Sequence, residues 1–202
     1  SIAVVGASNI PGKWGFIIPL NLVLGGWDKK LYLINPKEKF VHGYEAIPSI
    51  KDLPEPVDLM VVTVPASAVP KVMEEAGEKG IKSAVIISAG FSETGEEGKK
   101  LEERVVSIAN EAGILMAGPN IMGICSPPEK LYAIGAMVFP PAGHIAFLSQ
   151  SGNLGVQVLG WAERGGLGIS RFVNSGNEAQ LTCDLALEYF GKDPLTKVIL
   201  LY

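Results

Sequence analysis

The residues best equipped for chemistry near the N-terminus are Gly6, Ser8, Gly12, Lys13 and Gly15, in the run GASNIPGKWG. Glycines lack the Cβ that would keep an anion's oxygens from backbone N–H groups. A helix starting just behind the loop adds the positive end of its dipole. The flanks supply those parts. SIAVV (1–5) reads as a buried strand of a parallel sheet, and WGFIIPLNLVLGG reads as a helix. Strand, glycine loop and helix together form a phosphate cradle. The dinucleotide spacing GxGxxG is absent; only GKWG keeps its second half, and the loop is longer and carries a lysine. The plainer alternative is a strand-to-helix turn whose glycines serve geometry alone.

A second cluster follows the next apolar run, LYLI (31–34), at Asn35-Pro36-Lys37. An NAD site places Asp or Glu near here to accept from the ribose 2′-OH. A neutral amide and a cation instead suit a ribose bearing an extra phosphate, as in NADP (2′) or coenzyme A (3′). An exposed Lys37 contributes only about 0.3–1 kcal/mol, so it discriminates more than it anchors. The alternative is a solvated surface lysine.

These residues must be held by a fold, and the chain spells one out. Strands are expected at 1–5, 31–34, 58–64, 83–88 and 114–117, with a short hairpin near His42. Helices are expected between them, including ASAVPKVMEEAGEKG and GEEGKKLEERVVSIANEAG. In the latter, Leu101, Val105, Ile108 and Ala112 fall on one face. Such alternation predicts an α/β fold with a doubly wound parallel sheet, and ligands of such sheets bind at the carboxyl ends of the strands. That edge collects GASNIPGKWG, NPK, VPAS, SAGF and GPN, an open crevice suited to an extended ligand. Pro127-Pro128 and Pro140-Pro141 bracket a stretch read as an irregular linker. Strands at 144–148, 169–173 and 197–202 alternate with two helices beyond it. Three strands and two helices do not complete a domain, so the chain is expected to be one piece of a longer polypeptide.

Composition narrows the classes. At 48% hydrophobic residues, a packed core rather than disorder is expected. A net charge of −4 with no basic run argues against nucleic acid or an anionic membrane as partner, and no apolar stretch has spanning length. Cys125 and Cys183 form no CxxC pair, which fits a reduced, cytoplasmic setting. His42 and His144 have no ligand-spaced Cys or acid nearby, so no metal site is expected.

In order along the chain, GAS…GKWG, INPK, VP, ISAGF, ETGEEGKK, AGPN–MGI, IAFLSQSGNLG and VNSGNEA resemble the nucleoside-diphosphate-forming acyl-CoA synthetases. That superfamily includes the succinyl-CoA synthetase α subunit and ADP-forming acetyl-CoA synthetase. The resemblance spans the whole chain. It implies a CoA-binding Rossmann-like domain over 1–125, the linker over 126–142, and the N-terminal part of a flavodoxin-like ligase domain over 143–202. It further implies that Gly6, Ala7, Ser8, Pro11, Gly12, Lys13, Trp14 and Gly15 hold the CoA phosphates. Lys37, with Asn35 and Pro36, would meet the 3′-phosphate, while Val64, Pro65, Ser88, Ala89, Gly90 and Phe91 line the nucleotide and pantetheine path. Asn120 would sit at the thioester, and Ser151-Gly152 would face a phosphoryl group. From the residues alone, SQSG is also a strand-to-helix turn with free N–H donors, or simply an N-cap.

The reaction so implied converts acyl-CoA, phosphate and NDP into acid, CoA and NTP. It passes through an acyl phosphate and a phosphohistidine, with ADP/ATP and Mg on an ATP-grasp subunit or domain, in an oligomer. Two departures stand out. Neither His42 nor His144 lies in the family's histidine context, so the chain is expected to be inactive by itself. Ile121 stands where the family commonly has Cys after GPN. Two alternatives are a CoA-sensing regulatory part of a fused protein acetyltransferase, and an NADP-binding oxidoreductase domain.

Overall fold

Aliphatic runs of four residues become the interior of a sheet because both faces of each strand are covered. The computed structural model describes residues 1–202. Its first part runs β1 (Ile2–Val5), α1 (Trp14–Leu24), β2 (Leu31–Ile34), β3 (Phe40–Val41), β4 (Tyr44–Ile47), β5 (Leu59–Val62), α2 (Val69–Lys79), β6 (Ser83–Ile86), α3 (Glu96–Ala112) and β7 (Leu115–Ala117). The strands form a seven-stranded sheet in the order β3-β4-β2-β1-β5-β6-β7, parallel except for the β3–β4 hairpin. Side chains alternate between its faces. Ala3, Val5, Met60 and Val62 pack with Met73 of α2 and with Val105 and Ala109 of α3. Ile2, Val4 and Val61 pack with Ile18 and Leu22 of α1 on the other face. The doubly wound expectation therefore holds.

The second part runs β8 (Gly123–Ser126), β9 (Leu131–Ile134), β10 (Ala142–Ser149), α4 (Gly152–Gly165), β11 (Ile169–Asn174), α5 (Cys183–Lys192) and β12 (Val198–Leu201). Its five-stranded sheet has the order β12-β10-β11-β8-β9. β10 is parallel to β11 and β12, whereas β8 is antiparallel to β11 and β9. The stretch expected as an irregular linker from 126 to 142 is thus corrected: it carries the whole turn joining β8 to β9 and β9 itself. Pro127-Pro128 make a short 3-10 turn inside that hairpin rather than a break between domains.

The hairpin has two buried faces. Cys125, Tyr132 and Ile134 join Phe147, Leu159 and Phe172 in the core of the second sheet. Ala133, with Ile124 and Leu131 partly buried, packs into the core under α1. Asn21 of α1, fully buried, donates from its side-chain amide to the carbonyls of Ile134 (2.7 Å) and Ala136 (2.8 Å). Within the second sheet, Arg171 bridges Glu129 of the hairpin turn (3.0 Å) and Asp193 at the end of α5 (3.2 Å). β12 lies at a sheet edge with all four of its apolar residues exposed. No helix is long and apolar enough to cross a membrane.

Replacing Asn21 with Ala would take the side-chain donor from the Ile134 carbonyl and one of two donors from the Ala136 carbonyl, which keeps the Val138 amide, where the two parts of the chain meet. A buried acceptor left unpaired costs about 1–3 kcal/mol, so denaturant unfolding should show a loss of that order. A loss inside measurement error would mean that the hairpin is held by apolar packing alone.

Candidate functional site

The direction of winding reverses at β1, which lies between β2 and β5, and ligands of such sheets sit at that switch point. A cavity of about 450 Å³ opens there, over the carboxyl ends of β1, β5 and β6. The loop contributes Gly6, Ser8, Gly12, Lys13, Trp14 and Gly15 to its walls, joined by Asn35, Val64, Pro65, Ser88 and Ala89. These expected residues are therefore brought together. Two glycines have stated reasons. A Cβ on Gly15 would overlap the Gly6 carbonyl oxygen, so the first turn of α1 can lie against the loop only without one. Gly12 has φ +84° with nothing within 4 Å of a built Cβ, so its bare backbone faces open space.

The rest of the loop is braced from the β3–β4 hairpin. Asn9 donates to the Phe40 carbonyl (2.7 Å) and accepts from the His42 amide (3.2 Å). The His42 ring packs against Phe16 and meets its carbonyl oxygen through Nε2 (2.9 Å). Asn35 donates to the Ala7 carbonyl (2.7 Å) and accepts from the amides of Lys37 (2.8 Å) and Glu38 (3.1 Å). A carboxylate there could not make the first of these bonds, which is a structural reason for the amide.

Other expected residues lie apart from the cavity wall. Ala7 is fully buried under the loop, and Pro11 is exposed outside the wall. Pro36 lines an adjoining cavity with Gly6 and Val64, while Lys37 projects from an exposed turn beyond both. Phe91 is fully buried among Met73, Val105 and Ala109, so it is core rather than wall. The amides of Gly90 (2.5 Å) and Phe91 (3.1 Å) already donate to one carboxylate oxygen of Glu93. Burial pushes this carboxyl up, but donation from Asn177, Gly90 and Phe91 outweighs it and holds the pKa below the ordinary value. Thr63, at the end of β5, was missed by sequence reading although it lines the cavity; its hydroxyl donates to the Val5 carbonyl (2.9 Å). Its signal was a lone hydroxyl in the apolar run DLMVVTV.

A second cavity, of about 320 Å³, lies where the two parts of the chain meet. Asn120, Ser151 and Gly152 all line it, together with Trp14, Ala89, Ile121 and Met122. Trp14 and Ala89 line both cavities, so the two adjoin there. No Lys, Arg, His, Asp or Glu lines the second. Ser151 caps α4, its Oγ accepting from the Leu154 amide (3.4 Å). Asn174, 1% exposed, organises the walls. It accepts from the Met122 amide (2.6 Å) and donates to the carbonyls of Ser149 (2.8 Å) and Gln150 (2.9 Å). Asn120 adopts φ +59° and donates to Asn177, whose own amide group donates to Glu93 and Glu102 (both 2.7 Å). Sequence reading missed Asn174 and Asn177 because their partners lie far along the chain.

His144 meets the Leu195 carbonyl oxygen (2.9 Å), and neither histidine lines either cavity. Burial pushes the Cys125 thiol far up, leaving it an unreactive core residue. No three of His, Cys, Asp and Glu gather at metal-binding distance.

Comparison with known proteins gives the chain its family. Residues 1–127 match the family model of the CoA binding domain, and residues 142–202 match that of the succinyl-CoA ligase like flavodoxin domain. An ADP-forming acetate–CoA ligase of Archaeoglobus fulgidus is 44% identical over 100% of this chain and 29% of its own length. The α subunit of an ADP-forming acetate–CoA ligase of Pyrococcus furiosus is 42% identical over 100% of this chain and 45% of its own. A solved structure of dinucleotide forming acetyl-coenzyme A synthetase 1 from Ca. Korarchaeum cryptofilum, in complex with phosphate and ADP, superposes with a TM-score of 0.92 at 40% identity. It covers 100% of this chain and 43% of that one. The chain thus spans less than half the length of each of these three relatives. With a CoA binding domain matched over more than half its length and a ligase-type flavodoxin segment behind it, the chain belongs to the nucleoside-diphosphate-forming acyl-CoA synthetase superfamily.

Proposed function

We propose that this chain is the CoA-binding portion of an ADP-forming acyl-CoA synthetase. In this reading it holds CoA in the first cavity and the acyl thioester and phosphate in the second. The observation that carries it is the adjacency of the two cavities across Trp14 and Ala89. One is walled by a glycine loop with a lysine. The other is uncharged and bordered by the N-terminus of α4.

The residues fit the ligand. Open space at Gly12 leaves its backbone free to meet a pyrophosphate, and Lys13 adds a positive charge beside it. Bound acyl-CoA supplies the thioester whose acyl group passes to phosphate. The amides at Ser151 and Gly152, with the helix dipole behind them, hold and orient the phosphate. Asn120, fixed by Asn177, presents its polar side chain at the thioester end. Asn174 keeps the Ser151 turn and the Met122 backbone at one separation. A wall without ionisable groups suits an acyl group that bears no second charge, since a buried carboxylate there would lie unpaired. The histidine, ADP and Mg of the later steps belong to a partner ATP-grasp domain or subunit in this reading, and the setting is cytoplasmic.

CoA should bind more tightly than dephospho-CoA by about 1–3 kcal/mol in calorimetry, and Lys37→Ala should narrow that gap by about 0.3–1 kcal/mol, the share of an exposed lysine. Equal affinities would take Lys37 out of the site. Gly12→Val should abolish CoA binding while the far-ultraviolet circular dichroism is kept, because a branched side chain enters ligand space and resists φ +84°. Normal CoA binding by that variant would reduce the loop to a turn. Labelled phosphate with acyl-CoA and an ATP-grasp partner should leave His42 and His144 unlabelled; phosphate on either would relocate the catalytic group.

A further inference from the structure

Trp14 is the one large side chain that faces both cavities, and the reaction outlined above gives it no role. It opens α1 and remains 40% exposed. The back of its six-membered ring rests on Gly135, where a Cβ would overlap two ring carbons. Gly135 is itself fixed, its amide donating to the Met122 carbonyl (2.8 Å). The indole is therefore held between α1 and the segment after β9 while it lines both cavities. The small side chain of Ala89 is the other element common to both walls.

The remaining apolar wall of the second cavity has little room to retreat. Ile121 is 4% exposed and wedged against Gly118 and Gly176; a Cβ on Gly176 would overlap it. Met122 is packed against Gly152, where a Cβ would overlap its Cγ. Within about 320 Å³ the cavity must take phosphate as well as an acyl group.

We infer, resting on the CoA reading above, that Trp14 is a specificity-determining residue whose indole face limits the acyl group entering the second cavity to a short, unbranched one. A hydrophobic wall discriminates by volume, and about tenfold or more per excess methylene is within reach of a rigid one.

The test is calorimetric binding of CoA, acetyl-CoA, isobutyryl-CoA and hexanoyl-CoA to the intact protein without nucleotide, for the wild type, Trp14→Ala and Trp14→Phe. The wild type should prefer acetyl-CoA to hexanoyl-CoA by about tenfold or more. Trp14→Ala should erase or reverse that ratio when each affinity is read relative to the variant's own affinity for free CoA, which falls as well because Trp14 also walls the first cavity. Trp14→Phe keeps a ring on Gly135, serves if the Ala variant does not fold, and should give an intermediate ratio. Uniform weakening of all four ligands would make Trp14 a stacking platform and overturn the inference. So would a wild type indifferent to acyl length, or a ratio unmoved by both variants. No binding of free CoA by the wild type would instead sink the CoA reading, and this inference with it.

Discussion

The site depends on a hairpin buried on both faces. β8 and β9 give one set of side chains to the core of the second sheet and the other to the core beneath α1. An apolar strand covered on both sides cannot slip by one residue without moving its whole pattern to the wrong core. That register fixes Gly135 under Trp14 and Met122 beside Gly152. The buried Asn21 amide closes the joint at its other side. The two cavities adjoin across this joint, sharing Trp14 and Ala89.

Around it, loops carry the chemistry and side-chain amides hold the loops. Asn35 shapes the turn after β2, Asn174 ties the end of β11 to the turn before α4, and Asn177 links Asn120 to Glu93 and Glu102. An amide can donate and accept at once, so one uncharged side chain satisfies backbone groups from two segments. Fixing these loops with charges would place unpaired ions beside the ligand, at a much larger desolvation cost. The result is a second cavity with polar walls and no formal charge. Charges gather elsewhere, as in the Arg171 pairs with Glu129 and Asp193 beneath the second sheet.

By itself the sequence determined the alternating elements, the parallel sheet and the glycine-rich loop between strand and helix, because these rest on local signals: apolar runs, helical spacing and glycine. Gly6, Gly12, Lys13, Asn120 and Ser151 could be singled out from the same local signals, and the fold places them on the walls of the two cavities. Strand β9 was not, since Pro127-Pro128 carry the same local signal in a hairpin turn as in a linker; its pairing with β8 and the two cores decides between them. Phe91 in SAGF looked like wall and is core, because a side chain's direction depends on the helices packed beside it. Asn174 and Asn177 form bonds to residues up to 85 positions away, which no window of sequence contains. The adjacency of the cavities at Trp14 was decided only by the tertiary structure, where two sheets meet through one shared hairpin.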